Sequence, residues 1–384
     1  MGKFHAFYLA EQLNKSNYLH RLLTPYFSKA DYSIPRLRED NENIDVSKVK
    51  TNIFLKLLPY FFSKLSLPSQ FLDLDYVLLQ MFDNWAKQHI GSPDLLVVWS
   101  GAALESIKTA KLKGIKTVLE RGSTHIVTQR EILEEEYDRF GCNITPINPL
   151  IVERELEEYE EADYISVPSK FSAESYIKQG IPSSKIIQVP YGVDLSLFKR
   201  FQKEDNIFRL IHCGSITLRK GAQYLIKAFS ELNLPNSELW LVGSVDNDLK
   251  KRFPQYFNLS NVKFKGKQKQ SSLPWFYSQC DLFSLVSVEE GLPVVILQAM
   301  ACGLPVLCTQ NTGVEDIIID GEEGYVIPPR SIEAIKEKIV YLYKNPAIRS
   351  EMGKKSRKKV EDNFSWDDYG KKIISEYRKI LFSH

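Results

Sequence analysis

Cysteine is scarce in this chain, with only Cys142, Cys213, Cys280, Cys302 and Cys308 among 384 residues. The number is odd, the positions are scattered, and no Cys-x-x-Cys pair or His-rich neighbourhood accompanies them. A disulfide scaffold and a zinc ribbon are thereby excluded, and reduced thiols in a cytosolic protein are expected. Net charge is scarce too. Lys+Arg 50 against Asp+Glu 48 leaves +2, too little for a global field that gathers nucleic acid, so no nucleic-acid partner is expected and any anion site must be local. A membrane-length run of about 18 apolar residues is also missing. The longest candidate, Leu292 to Cys308, is broken by Gln298, Gly303 and Pro305 and reads as a helix followed by a strand. The N-terminus has no charged head, apolar stretch and cleavage site of a secretory leader, and Ala6 stands where a myristoylation motif needs Ser or Thr. The expected location is cytoplasmic, with peripheral contact at the inner membrane face left open.

What the sequence does have is core. A content of 43% hydrophobic, 12% aromatic and 26% charged residues marks a folded chain, and 384 residues exceed what one core usually supports. Two domains are expected. The first opens with apolar positions at Phe4, Phe7, Tyr8, Ala10 and Leu13 at near-helical spacing, then a short apolar stretch, Leu19 to Thr24. Residues 51 to 85 read as aromatic-rich helices punctuated by Pro59 and Pro68. Strands are expected at Asp94 to Ser100, Lys116 to Leu119 and Tyr164 to Val167, with helices near Glu153 to Ala162 and Phe171 to Gln179. The alternation then restarts with Phe208 to Cys213 (strand), Ala222 to Leu232 (helix), Glu238 to Val242 (strand), Val262 to Phe264 (strand), Leu273 to Cys280 (helix) and Leu282 to Val286 (strand). Between the two runs, Val189 to Phe198 (VPYGVDLSLF) carries turn residues where a linker is needed. The expected division is an N-terminal domain of residues 1–190 and a C-terminal domain of residues 191–365. Three helices end the chain, the last starting after Ser365, a good N-cap.

Two segments carry chemistry. In Leu210 to Leu232 (LIHCGSITLRKGAQYLIKAFSEL) a strand ends at Gly214, a short loop delivers Arg219 and Lys220, and a helix opens at Gly221. Two cations therefore stand where a helix N-terminus already favours an anion, and a phosphate or diphosphate is the fitting guest. The loop is neither a Walker A motif nor a GxGxxG fingerprint. In Ser287 to Leu307 (SVEEGLPVVILQAMACGLPVL) a strand ends in Glu289 and Glu290, Gly291 permits a tight turn, and Pro293 takes an early position of the next helix. A second helix end is thus aimed at the crevice outside the carboxyl ends of parallel strands. Glu290 suits sugar hydroxyls, and Gln298, further along that helix, suits a ribose.

Together the two segments resemble the donor domain of GT-B fold glycosyltransferases, in particular the retaining family 4. Members read approximately G-x-[LI]-x-x-x-K-G and E-G-[FL]-[GP]-x-x-x-x-E-A-M-A-x-G-x-P-V. This chain supplies Gly214, Ile216, Lys220 and Gly221, then Glu290, Gly291, Leu292, Pro293, Ala299, Met300, Ala301, Gly303, Pro305 and Val306. YGVDLSLF is similar to the family's interdomain N-G-V-D, with Tyr191 for Asn. The resemblance covers about 160 to 360.

It implies an α/β, GT-B architecture of two Rossmann-like domains whose parallel sheets face a central cleft, with helix 366–384 returning to the first domain. It implies a nucleotide diphosphate sugar, UDP- or GDP-linked, as donor and a glycan, lipid-linked or small-molecule hydroxyl as acceptor, with no further cofactor and no metal. Arg219 and Lys220 are expected at the diphosphate, Glu290 at the transferred sugar, and the Gly214–Ser215 turn and the backbone of Gly291, Leu292, Pro293 and Val294 around donor sugar and phosphate. The family's second glutamate, which grips the ribose, is Gln298 here, an amide with one carbonyl oxygen in place of two charged ones. His125, in the ERGSTH segment after the second strand, is expected to meet the donor sugar from the opposite side. The family's first strand and glycine-rich loop are reduced to Gly2. Two other activities are compatible with the same residues: a GT-B nucleotide-sugar epimerase, and a catalytically degenerate scaffold subunit.

Overall fold

The computed structural model describes residues 5–25, 43–55, 57, 74–142 and 146–382. Gly2, Phe4, Pro59 and Pro68, and much of the aromatic stretch read from residues 51 to 85, lie outside them.

Two parallel sheets organise the chain. The first runs β3 (Leu95–Trp99), β4 (Lys116–Glu120), β5 (Tyr164–Val167) and β6 (Ile186–Gln188), paired in that order. A separate short pair, β1 (Leu22–Thr24) and β2 (Val49–Thr51), stands beside it. The second sheet has the order β12-β11-β10-β7-β8-β9, from β7 (Phe208–Cys213), β8 (Ser237–Val242), β9 (Val262–Gly266), β10 (Leu282–Leu285), β11 (Val306–Thr309) and β12 (Gly324–Ile327). Every strand pairing in both sheets, among the described residues, is parallel. The order reverses at β7, so β7 and β10 sit side by side at a switch point, where open α/β sheets form their ligand crevice. The loops after β7 and β10 carry the two segments singled out above.

The sequence explains these elements locally. All six residues of β7 are buried, as a central parallel strand covered on both faces requires. The helix Ala222–Leu232 buries Leu225, Ile226 and Phe229 along one stripe. Its cap, Gly221, has φ +68°, and a Cβ there would lie 2.0 Å from the Val286 carbonyl oxygen, so only glycine lets this helix start against the adjoining strand. The final helix, Trp366–Phe382, is fixed at its start by Ser365 and Asp368, which exchange side chain to backbone hydrogen bonds at 3.1 Å. It lies on the first helix, Ala6–Lys15: Tyr8 stacks on Trp366 at 4.0 Å, and Gln12 donates to Asp367 at 3.0 Å. One apolar cluster joins Leu9, Val118, Tyr191, Ile211, Ile296 and Ile373, running continuously between the two sheets.

Candidate functional site

The site grows from the ends of β7 and β10. Beyond β7 the chain turns at Gly214, φ +136°, and Ser215, Thr217, Arg219 and Lys220 reach one face of a cavity of about 370 Å³. Its opposite face comes from the first half of the chain, including Arg121, Gln129 and Tyr137. Lys220 forms an ion pair with Glu290, whose Oε1 also accepts from Ser287 at 3.4 Å. Arg219 Nη2 lies 2.8 Å from Glu289 Oε2 and 3.9 Å from Glu290 Oε2. Both expected cations therefore meet the acidic pair at the end of the neighbouring strand. Burial alone would lower the Arg219 pKa, but Glu289 and Glu290 raise it above its ordinary value, so this guanidinium is a permanent cation.

Glu289 is the residue the sequence reading passed over. Its carboxylate is fully buried. Oε1 accepts from the Ser123 hydroxyl at 2.6 Å, the Thr124 hydroxyl at 2.7 Å and the Thr124 amide at 3.2 Å, and Oε2 accepts from Gln129 Nε2 at 2.9 Å. Burial works against the charge, but Arg219 and these donors hold its pKa down to about 2. Arg121 shapes the donor segment by giving Nε to Glu155 at 2.5 Å, Nη1 to the Thr124 carbonyl at 2.6 Å and Nη2 to Gln129 at 2.9 Å. The available signal was the run ERGSTH at a strand end, rich in short hydroxyl donors, facing two consecutive glutamates.

The turn after Glu290 is pressed against the same segment. A Cβ on Gly291 would lie 2.3 Å from the Gly122 carbonyl oxygen, and the Gly291 carbonyl accepts from Ser169 Oγ at 2.7 Å. Leu292 is buried, while Pro293 and Val294 are half-buried. The helix begins at Val294, with Pro293 as a cap that offers no side-chain hydrogen bond.

Other expected residues lie elsewhere. His125 is 3% exposed; its Nδ1 accepts from the Val127 amide at 3.2 Å, capping the helix Ile126–Arg139. Its ring packs against Tyr159 and Tyr176, and burial, then Arg121, lower its pKa to about 4. The structure thus makes His125 a neutral, buried cap that does not line the Arg219–Lys220 cavity. Gln298 lines a second, smaller hollow of about 110 Å³ with His5, Tyr8, Asp194, Val294 and Trp366, and its carbonyl accepts from the Tyr277 hydroxyl at 3.3 Å. The sequence also holds Asp-x-Asp triplets, Asp73–Asp75 and Asp246–Asp248, so the expectation of a metal-free site gains no support from a lack of such pairs. Asp246 caps the helix Asn247–Arg252 through the Asp248 amide, and Asp73 lies outside the described residues. Among the described residues, no helix is long and apolar enough to cross a membrane.

Comparison with known proteins places this geometry. Residues 195–359 match the family model described as glycosyl transferases group 1. An uncharacterized glycosyltransferase of Methanocaldococcus jannaschii is 27% identical over 58% of this chain and 59% of its own length. The GDP-mannose-dependent alpha-(1-6)-phosphatidylinositol monomannoside mannosyltransferase of Mycolicibacterium smegmatis is 24% identical over 75% of this chain and 77% of its own. Sucrose-phosphate synthase from Thermosynechococcus elongatus superposes with TM-score 0.69 at 19% identity, covering 98% of this chain and 92% of that one. Anabaena HepE in complex with UDP-glucose superposes with TM-score 0.70 at 16% identity, covering 99% and 97%. Two parallel sheets, the order reversal at β7 and the paired motifs at its rim agree with these matches: the chain has the GT-B fold, and its residues 195–359 are similar to the group 1 glycosyltransferases.

Proposed function

We propose that the chain transfers a sugar from a UDP- or GDP-linked donor to a hydroxyl of a glycan, lipid-linked or small-molecule acceptor, with retention of anomeric configuration and without a metal. The carrying observation is that Arg219 and Lys220 line the cavity between the two halves, with Glu290 paired to Lys220 and 3.9 Å from Arg219, beside the start of the helix Ala222–Leu232. The nucleotide-sugar ligands named for HepE and the mycobacterial relative support the donor class.

In this reading the bond between the anomeric carbon and the β-phosphate oxygen breaks, and the electron pair leaves with the diphosphate. Lys220, Arg219 and the helix end stabilise the growing charge, a task that needs preorganised cations near the leaving oxygen. The acceptor oxygen bonds to the anomeric carbon on the same face, and its proton passes to the departing phosphate oxygen. Diphosphate binding draws Lys220 away from Glu290 and leaves that carboxylate to accept from sugar hydroxyls. The Gly214–Ser215 turn and the chain from Gly291 to Val294 border the donor. Gln298, whose carbonyl is engaged by Tyr277, offers the ribose its amide N–H groups. Contact between Gly291 and Gly122 closes the cleft and keeps water from the donor.

A melting-temperature screen against UDP- and GDP-sugars, followed by product analysis with and without acceptor, tests this. Stabilisation by one nucleotide series and a glycoside of unchanged anomeric configuration are expected. Sugar isomerisation without acceptor, or no response to any nucleotide sugar, overturns the reading.

A further inference from the structure

Glu289 and Glu290 are chain neighbours with different surroundings. Glu290 pairs with Lys220 at the cavity, whereas Glu289 is turned into the joint between the two halves. Its partners Ser123, Thr124 and Gln129 belong to the first half, and Arg219 belongs to the second. The guanidinium is shared the same way: Nε donates to the Glu289 carbonyl at 3.3 Å, and Nη2 donates to Ser123 Oγ at 3.1 Å and meets the Glu289 carboxylate. Among the described residues these bonds use Nε and Nη2, which leaves Nη1 as the edge of the fork available to a ligand. A planar guanidinium fixed along one edge presents the other in a defined direction.

We propose that Glu289 is a positioning residue that couples docking of segment 123–129 to the aim of Arg219 at the donor diphosphate. When the cleft opens, Ser123, Thr124 and Gln129 withdraw, and the carboxylate and guanidinium lose the bonds that orient them. The cation is then correctly placed only when the cleft is closed and dry, which links sequestration of the donor to stabilisation of its leaving group. This inference rests on the donor reading above.

The test is a double-mutant cycle between Glu289→Gln and Arg219→Ala, titrated with UDP and GDP, with amide hydrogen exchange over residues 122–130 in parallel. With Glu289 intact, Arg219→Ala weakens diphosphate binding by roughly tenfold, the scale of one charge-assisted hydrogen bond. In the Glu289→Gln background the same change costs less than about twofold, because the residues act as a unit. Segment 123–129 also exchanges faster in Glu289→Gln without nucleotide. An undiminished Arg219 effect in the Gln background, or unchanged exchange, overturns the coupling. Wild-type protein that binds neither UDP nor GDP overturns the donor reading and the aim assigned to Arg219, while the exchange comparison still decides whether Glu289 holds the segment. Should Glu289→Gln not fold, Thr124→Val removes a donor from the far side of the same carboxylate and gives the same two readouts.

Discussion

Each half of the molecule places a helix N-terminus after a parallel strand, and the two ends are treated in opposite ways. In the first half, the helix Leu104–Leu112 follows β3 and has no capping hydrogen bond from its own N-cap, Ala103. Buried carboxylates fill the end instead. Asp83 accepts from the Glu105 amide at 2.8 Å and the Ser106 amide at 2.9 Å, and Glu158 accepts from the amides of Gly101, Ala103 and Leu104 at 2.6, 2.8 and 3.1 Å. Arg154 forms ion pairs with both, and burial raises the Glu158 pKa to about 7. In the second half, the helix Ala222–Leu232 follows β7 with Gly221 as its cap, which also gives no side-chain hydrogen bond. Here Arg219 and Lys220 stand beside the end, and a cavity faces them. The helix end is thus filled by the protein's own carboxyl groups in one sheet and flanked by two cations that face a cavity in the other, where the proposed function puts the donor diphosphate. A strand-to-helix turn in this architecture is a potential anion site, and the side chains around it decide whether it serves the fold or a ligand.

The largest effect expected on the filled side is from Asp83→Ala, which leaves Arg154 buried without its main partner. Chemical denaturation should show a loss of about 3–5 kcal/mol, with nucleoside diphosphate affinity of the folded fraction unchanged. A matching loss of affinity would break the distinction between the two ends. Next comes acid. The pKa of Glu289 is lowered from 4.5 to about 2, so the stability it contributes is complete above 4.5 and is lost as the pH falls toward 2. The stability difference between wild type and Glu289→Gln should shrink by about 3 kcal/mol over that window, measured by urea titrations across it. A constant difference would show that the charge has no part in the joint. On the ligand side, Lys220→Ala should lower turnover of the folded enzyme by roughly 100-fold, as loss of one preorganised donor does. The smallest effect belongs to Gln298→Glu, expected to tighten UDP or GDP binding by up to about tenfold, because a carboxylate accepts more strongly from ribose hydroxyls. Weaker binding would place the ribose elsewhere.

How much could be read in advance follows the same division. The helix Ala222–Leu232 was legible to the residue because its apolar stripe is regular and a glycine precedes it. Strand β7 was equally legible from Phe208, Leu210, Ile211 and Cys213, although Arg209 and His212 interrupt the apolar run. The helix expected from Glu153 begins at Pro149, capped by Asn148, since an Asn-Pro start carries no apolar periodicity to detect. Strand β6 is only three residues long, too short for a pattern to stand out, and β12 opens on Gly324, a residue that reads as a turn. Within the site, Arg219, Lys220 and Glu290 were legible because motif spacing on adjacent loops places them together. Glu289 was not, since both glutamates are buried in the turn after β10 and only the partner segment decides which one faces the joint between the halves. His125 misled for a related reason: a histidine after a strand faces a cleft or caps the next helix, and the amide of Val127 settled the matter.

The most direct measurement is a crystal structure of the chain with UDP or GDP bound. The diphosphate should lie against the end of the helix Ala222–Leu232, within hydrogen-bond reach of Lys220 Nζ and Arg219 Nη1, with the Lys220–Glu290 pair opened and Glu289 still joined to Ser123 and Thr124. A diphosphate bound away from both cations, with the Lys220–Glu290 pair intact, would contradict the account.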